Sequence, residues 1–367
     1  MAERIHIILP HRERFTRHGG GAIASVVRMF STHSRYREAI AIYGRGVEQP
    51  YLQENFRSVR LAPVWHGNRR TRYLKRIGRM IPREDGIIEI HNRPEYVAPM
   101  KRIFPRARIA LYLHNDPQSM RMAGDRHARA RLLEQCDVVV TVSEYIRGRM
   151  LEGVAGDGDG VVVVHNGVDT REITPAPHKR KDIVFVGRMI PDKGAMLLLD
   201  AAARLLPAFP DWRVVIVGGR YFSDKKRPSE YERAAMERAA GLGDQALVTG
   251  YVSHDAAIDY LRHAAVAVLP SLWEDPCPVS HIEAMSAGCA LVTTKRGGIP
   301  EIAGGAATYL REESSREVAR VLEPLLADPG LLLERQAACR QHAEAHLDIR
   351  VMAGRLDDIR RERLAAS

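Results

Sequence analysis

Aromatic residues make up only 6% of the 367 positions, cysteines number four, and no apolar run approaches the length needed to cross a bilayer. Each shortage closes a class of function. Few aromatics argue against a nucleic-acid binder, which stacks bases on aromatic side chains, even though a pI near 9.6 would invite one. Cys136, Cys277, Cys289 and Cys339 are scattered, with neither the close pairs of a zinc site nor the density of a disulfide framework, so reduced thiols are expected. A chain without a bilayer-length run or a leader ahead of its first strand pattern reads as cytoplasmic, at most peripheral on the inner face of a membrane. The 45% hydrophobic and 27% charged shares are ordinary for globular proteins and exclude fibrous or disordered classes.

What is present in excess is basic charge, and it is unevenly placed. The first 180 residues hold 31 Lys and Arg against 19 Asp and Glu, while the remainder hold 24 against 26. That asymmetry points to an anionic partner for the first half. Between Arg69 and Arg83 stand seven basic residues and no acidic one, with Tyr73, Leu74, Ile77, Met80 and Ile81 on one helical stripe. Such a helix either lies on an anionic membrane or packs its stripe inward and leaves the basic face to solvent or an anionic acceptor.

Short apolar runs alternate with helical periodicity through the whole chain. In the first half they fall at residues 5–9, 39–43, 87–90, 109–113, 138–142 and 161–164, and in the second at 183–186, 214–217, 247–249, 265–269 and 290–294. This is the pattern of parallel sheets covered by helices on both faces, whose ligands bind outside the carboxyl ends of the strands. A length of 367 residues suggests two domains. They are expected at 1–175 and 176–345, joined by a Pro-, Lys- and Arg-rich linker at 174–181, with 346–367 a terminal helix packing back toward the first domain. The polar segment 220–232 reads as a mobile loop.

Several strand ends carry candidate residues. Gly19, Gly20 and Gly21 follow the first strand, where glycine allows a ligand close to a helix N-terminus or merely a flexible turn. His114 follows another strand, as a structural or a site residue. Asp157 and Asp159 mimic a metal-binding Asp-x-Asp pattern but sit in a glycine-rich turn without supporting ligands, so no metal is expected. Arg188 and Lys193, between Gly187 and Gly194, could grip a departing diphosphate, the arginine bidentately and the lysine as a point charge. The stretch from Pro270 to Gly288 stands out most. A helix expected from near Val279 would place Glu283 in its first turn, its carboxylate leaning back toward Glu274 and Asp275, with the free N–H groups of Val279, Ser280 and His281 forming an anion site. Donors for an anion beside acceptors for hydroxyls suit a sugar joined to phosphate. The plainer reading is that Glu283 complements the helix dipole, worth about 0.3–1 kcal/mol, while Asp275 and Pro276 shape a turn.

Gly187-Arg188 with Lys193-Gly194, Gly250-Tyr251-Val252, Pro270-Ser271-Leu272-Trp273-Glu274, Glu283-Ala284-Met285 with Gly288, and Gly297-Gly298-Ile299-Pro300-Glu301 occur in this order. Together they resemble the nucleotide-sugar-dependent glycosyltransferases of family 4, strongly over residues 183–305 and in the first half only through the glycine loop, His114 and the strand pattern. The resemblance implies the GT-B fold, two Rossmann-like domains facing each other across a cleft, and a retaining, metal-independent hexosyltransferase. By the same resemblance Glu283 is the second carboxylate of a Glu-x7-Glu motif and binds ribose. Asp275 stands at the first position, where glutamate is usual, and Glu274, one residue early, is its rival. Arg188 and Lys193 would stabilise the leaving diphosphate, the Val279 and Ser280 amides would hold phosphate, and Gly187, Gly218 and Val252 would line the nucleotide. Gly20 would admit the donor phosphate and His114 would touch the donor sugar.

The expected activity is transfer from a UDP- or GDP-linked sugar to a glycan or glycolipid hydroxyl in cell-envelope polysaccharide or lipopolysaccharide synthesis. No cofactor or nucleic acid takes part, and the residue 69–83 segment would meet an anionic membrane. A catalytically weak nucleotide-sugar binder, and a GT-B isomerase or phosphorylase, are the alternatives.

Overall fold

The computed structural model describes residues 5–17, 19–61, 68–82, 86–221 and 227–364. The chain divides into two compact units, one comprising Met1–Asn166 with Ile349–Ser367 and the other Gly167–Asp348.

In the first unit seven strands run β1 (Ile5–Ile8), β2 (Ile40–Arg45), β3 (Phe56–Val59), β4 (Ile87–His91), β5 (Arg108–Leu113), β6 (Val138–Thr141) and β7 (Val161–Val163). They form one sheet in the order β3-β2-β1-β4-β5-β6-β7 with every pair parallel. Helices α1 (Ala22–His33), α2 (Arg69–Met80), α3 (Val97–Ile103), α4 (Arg126–Gln135) and α5 (Glu144–Leu151) connect them. A parallel sheet is covered on both faces, so β1 and β4 are buried at every position, and each fully buried isoleucine stabilises by about 1.5–3 kcal/mol. The apolar stripe of α2 joins this core through Tyr73, Leu74, Ile77 and the following Ile81, and the Tyr73 hydroxyl donates to Leu9 O at 3.0 Å. Its arginines stay at or near the surface; Arg83 lies outside the described residues. Strand β3 was not anticipated because Phe-Arg-Ser-Val has only two apolar residues, both buried but on opposite faces of the sheet edge.

The second unit repeats the plan with β8 (Arg180–Val186), β9 (Arg213–Val217), β10 (Ala246–Val248), β11 (Ala264–Leu269), β12 (Ala290–Thr293) and β13 (Thr308–Tyr309), ordered β10-β9-β8-β11-β12-β13 and again all parallel. Its helices are α6 (Ala195–Leu205), α7 (Glu230–Ala240), α8 (His254–His263), α9 (Val279–Ser286), α10 (Ile299–Ala303), α11 (Ser315–Ala327) and α12 (Pro329–His346). The two-residue β13 is too short to register in a hydrophobic pattern. In both sheets the strand order reverses beside the first strand, between β1 and β4 and between β8 and β11. Loops leaving such a switch point diverge and open a crevice at the strands' carboxyl ends.

Three expectations are corrected. Residues 174–181 are not a linker: Ala176 N donates to Arg262 O, Lys179 Nζ donates to the carbonyls of Arg262, Ala264 and Ala287, and the segment ends inside β8. Composition suggested a linker, but Lys179 serves backbone carbonyls of the second unit, and Arg180 and Lys181 pair with Asp182 and Asp211. The end of the 220–232 segment is helical, since Ser229 and Glu232 form the capping box of α7; residues 222–226 lie outside the described set. Glu283 is the fifth residue of α9 rather than a first-turn residue, because the helix begins at Val279.

Helix α13 (Ile349–Leu364) belongs to the first unit and packs on α1. Asp357 accepts from Ser34 Oγ and Arg35 N, both at 2.7 Å, and Arg360 makes a two-pronged pair with Glu89, Nε to Oε1 at 2.7 Å and Nη2 to Oε2 at 2.9 Å.

Candidate functional site

In the second unit the loops after β8 and β11 flank the switch point, and glycines let them interlock. Gly194, at φ 72°, lies so close to the Pro270 carbonyl that an added Cβ would sit 2.3 Å from its oxygen, and Leu272 N donates to Asp192 O at 2.8 Å. Gly218, at φ 129°, crosses Gly187 equally tightly. Its own amide donates to Gly250 O at 3.1 Å, so the ends of β8, β9 and β10 are knitted together. Gly218 therefore meets protein backbone at close range.

This packing sets Lys193 against the β11 loop. Its Nζ pairs with Asp275 Oδ2 and lies 5.4 Å from the centre of the Trp273 ring. Glu274, next along the loop, turns elsewhere: Arg296 Nη1 donates to its Oε1 at 2.8 Å and Gly297 N to its Oε2 at 2.5 Å. Partial burial raises the Glu274 carboxyl, but the hydrogen bonds from Arg296 and Gly297 and the Arg296 charge outweigh it and the net shift is downward. Gly297, at φ 54°, has room for no Cβ against Asp275 O, and Gly298 N donates to that same oxygen at 2.9 Å. The Gly-Gly-Ile-Pro-Glu segment is thus the cradle of the Glu274–Asp275 turn. Arg188 is exposed and has no ion-pair partner among the described residues.

Helix α9 starts after Pro278 without a side-chain cap. Its first amides, Val279 and Ser280, have no intrahelical acceptor, as at any helix start. His281 N is not free as expected: it donates to Pro278 O at 3.2 Å, a tightened first turn. Glu283 is 7% exposed and its Oε1 lies 2.7 Å from Nε2 of His254, the first residue of α8. Val252, two residues ahead of His254, is half-buried. The expected approach of Glu283 to Glu274 and Asp275 is not among its hydrogen bonds; its partner comes from the β10 side. His254 was missed, since only its place after the helix-capping Ser253 marks it.

The imidazole of His281, named only for its backbone N–H, was missed as well. The Thr293 hydroxyl donates to Leu269 O at 2.8 Å, so it must accept from His281 Nε2 at 2.9 Å, which puts the His281 proton on Nε2 and leaves a buried, unpartnered Nδ1. Burial, only partly offset by Asp275, holds this imidazole at about 4.

In the first unit the β1 loop closes on itself. An added Cβ on Gly20 would lie 2.3 Å from Thr16 O, and Gly21 N, at the start of α1, donates to Glu13 Oε1 at 2.9 Å. Glu13 thus occupies the helix N-terminus, and burial raises its carboxyl despite that bond. His114, just past β5, is buried, stacks on Tyr112 with ring centres 4.7 Å apart, and meets His91 Nδ1 through Nε2 at 2.9 Å. Asn92 Oδ1 accepts from the backbone amides of His114 and Asn115. Asp157 and Asp159 form a local turn, Asp159 N donating to Asp157 Oδ1 at 3.0 Å.

Two family models match the chain, "Glycosyltransferase Family 4" over residues 19–172 and "Glycosyl transferases group 1" over 169–346. A putative glycosyltransferase of Bacillus subtilis is 29% identical over 248 residues, 62% of this chain and 61% of its own. The lipopolysaccharide 1,2-N-acetylglucosaminetransferase of Salmonella typhimurium is 32% identical over 149 residues, 40% and 39% of the two chains. The chain therefore spans less than two thirds of either relative. Among solved structures, Anabaena HepE in complex with UDP and glucose superposes with a TM-score of 0.78 at 15% identity, covering 98% of this chain and 100% of that one. Sucrose-phosphate synthase from Thermosynechococcus elongatus gives 0.76 at 18% identity over both whole chains. Likeness at such identities speaks for the fold.

Proposed function

The chain belongs to the family 4, group 1 glycosyltransferases and has their GT-B fold of two parallel-sheet α/β domains, and we propose that it moves a sugar, with retention, from a UDP- or GDP-linked donor to a hydroxyl of an anionic glycan or glycolipid of the cell envelope. The observation that carries this is the Lys193–Asp275 pair at the β8/β11 switch point, beside the uncapped start of α9 and the His254–Glu283 pair. Relatives support the donor and acceptor classes: HepE is solved with UDP and with UDP-glucose, and the Salmonella relative is named for lipopolysaccharide.

A bound diphosphate competes with Asp275 for Lys193, and together with Arg188 and the Val279 and Ser280 amides that cation stabilises charge growing on the leaving group. Asp275, released, accepts from a hydroxyl of the donor sugar, while Glu283, oriented by His254, accepts from ribose. The anomeric C–O bond to phosphate breaks, an oxocarbenium-like centre forms, and the acceptor oxygen bonds to it on the same face as its proton passes to the leaving phosphate oxygen. The scheme uses no protein nucleophile and no metal. For the acceptor, a cavity of about 560 Å³ between α2, α3 and α4 has an apolar floor of Leu74, Ala98 and Leu132 and a rim of Lys75, Arg102 and Arg131. Among the described residues none of these three cations has an ion-pair partner, which suits a phosphate-bearing amphiphile at a membrane surface.

The test is thermal stabilisation by a panel of nucleoside diphosphates and nucleotide sugars, with and without chelator. At about 100 times its dissociation constant the right donor adds about 2.7 kcal/mol. The shift should survive chelator and vanish in Glu283→Ala, and NMR of the product should show the donor's anomeric configuration. Absence of any ligand-induced shift would sink the reading.

A further inference from the structure

Strand β4 ends Glu89-Ile90-His91, and a period of two puts Glu89 and His91 on one face, both buried in the middle of a parallel sheet. A carboxylate there is costly unless paired. Arg360, arriving on α13, supplies the pair through two hydrogen bonds, and Asp357 Oδ1 and Ser34 Oγ take its remaining donor. Burial would raise the Glu89 carboxyl, but the Arg360 charge outweighs it and holds it at about 2. Glu89 is therefore a fixed negative charge at any working pH.

His91 stands between that charge and His114. Its Nε2 is buried, has no hydrogen-bond partner, and lies 3.9 Å from Glu89 Oε2; its Nδ1 lies 2.9 Å from His114 Nε2. Burial lowers both imidazoles, so both are neutral. Two neutral rings can share one hydrogen bond in two ways. If His91 donates through Nδ1, its Nε2 lone pair faces the Glu89 carboxylate across a dry gap. If His114 donates through Nε2, the His91 proton sits on Nε2 and faces the carboxylate instead. Electrostatics selects the second arrangement. The ring planes are locked as well, since Tyr112 stacks on His91 at 4.9 Å and on His114 at 4.7 Å, while Asn92 holds the His114 backbone.

We propose that Arg360, Glu89 and His91 form a positioning chain that keeps the His114 proton on Nε2 and presents its Nδ1 as an unprotonated acceptor at the carboxyl end of β5. Building on the proposed transferase reading, this makes His114 a selector for a sugar hydroxyl or N–H that donates at the carboxyl end of β5, and removes it as an acid. The charged groups facing the pair are Glu89 on β4 and, through it, Arg360 and Asp357 on α13.

The test is tautomer assignment by long-range 1H–15N correlation on the full chain carrying 15N-histidine, without substrate. The expected result is a protonated Nε2 and a bare Nδ1 for His114 in the wild type. His91→Phe, which keeps a flat ring but removes the acceptor, should let the Nδ1–H form appear and lower kcat by about tenfold or more. His91→Gln, whose amide oxygen can accept the same bond, should restore the wild-type tautomer and most of kcat. A wild-type His114 protonated at Nδ1, or a tautomer unmoved in His91→Phe, would overturn the proposal. Should His91→Phe not fold, the wild-type and His91→Gln spectra decide. Because the spectra need no donor, failure here is distinct from failure of any nucleotide sugar to bind.

Discussion

At the residue scale the two neighbouring carboxylates of the β11 loop are separated by their partners. Asp275 meets Lys193, whereas Glu274 is tied to Arg296 and Gly297. Asp275→Asn should therefore lower kcat, and Glu274→Gln should leave kcat largely retained while costing about 1 kcal/mol in urea unfolding through its lost hydrogen bonds. The opposite pattern would make Glu274 the sugar ligand. Lys193→Ala should reduce transfer by about 10²–10³-fold, the usual effect of removing one donor that stabilises developing negative charge, read as kcat at saturating donor. Proximity in sequence could not separate Glu274 from Asp275, because what distinguishes them is a glycine segment 22 positions further on that enters the turn from another strand end.

At the element scale, α13 and α2 behave differently from what their charge alone suggests. Helix α13 is rich in arginine, yet Arg360 is buried against Glu89, and Arg360→Met would leave a carboxylate uncompensated in the sheet. The expected loss is about 3–5 kcal/mol in denaturant unfolding; a loss below 1 kcal/mol, taking about that as the ordinary surface-pair value, would deny the pair its structural role. Helix α2 hides its apolar stripe in the core and keeps Lys75, Arg76 and Arg79 exposed. Neutralising these three to glutamine should weaken binding to phosphatidylglycerol vesicles on the order of 100-fold, at about 1 kcal/mol per charge, measured by flotation at fixed salt. Helical periodicity alone identified the stripe in α2, but only packing tells a stripe that meets a sheet from one that meets a lipid surface.

At the scale of the whole molecule, buried neutral histidines make stability depend on pH. His91, His114 and His281 all have folded values below 6.5, so the unfolded chain takes up protons first and stability falls as pH drops below about 6.5. His281, at about 4, contributes on the order of 3 kcal/mol of that loss by the time pH reaches 4. Glu89, held at about 2, adds a second loss beginning below about 4.5. Urea midpoints at pH 7.5, 6 and 4.5 should decline stepwise, and His281→Asn should flatten the decline chiefly between the last two, where the His281 loss is steepest.

The sequence by itself determined two parallel-sheet α/β units and the strand ends from which ligands are approached, because apolar runs alternating with helical segments admit few other packings, and it determined which loops carry charge beside glycine. Tertiary structure alone decided which of those charges meet: His254 with Glu283, Lys193 with Asp275, Arg360 with Glu89 across 271 positions of chain. It also decided that residues 174–181 are packed rather than free. The physical reason is the same in each case. Periodicity reports on one element and its burial, whereas a partner across strands depends on sheet order and on how closely two loops can approach, and these are set only when the chain has folded.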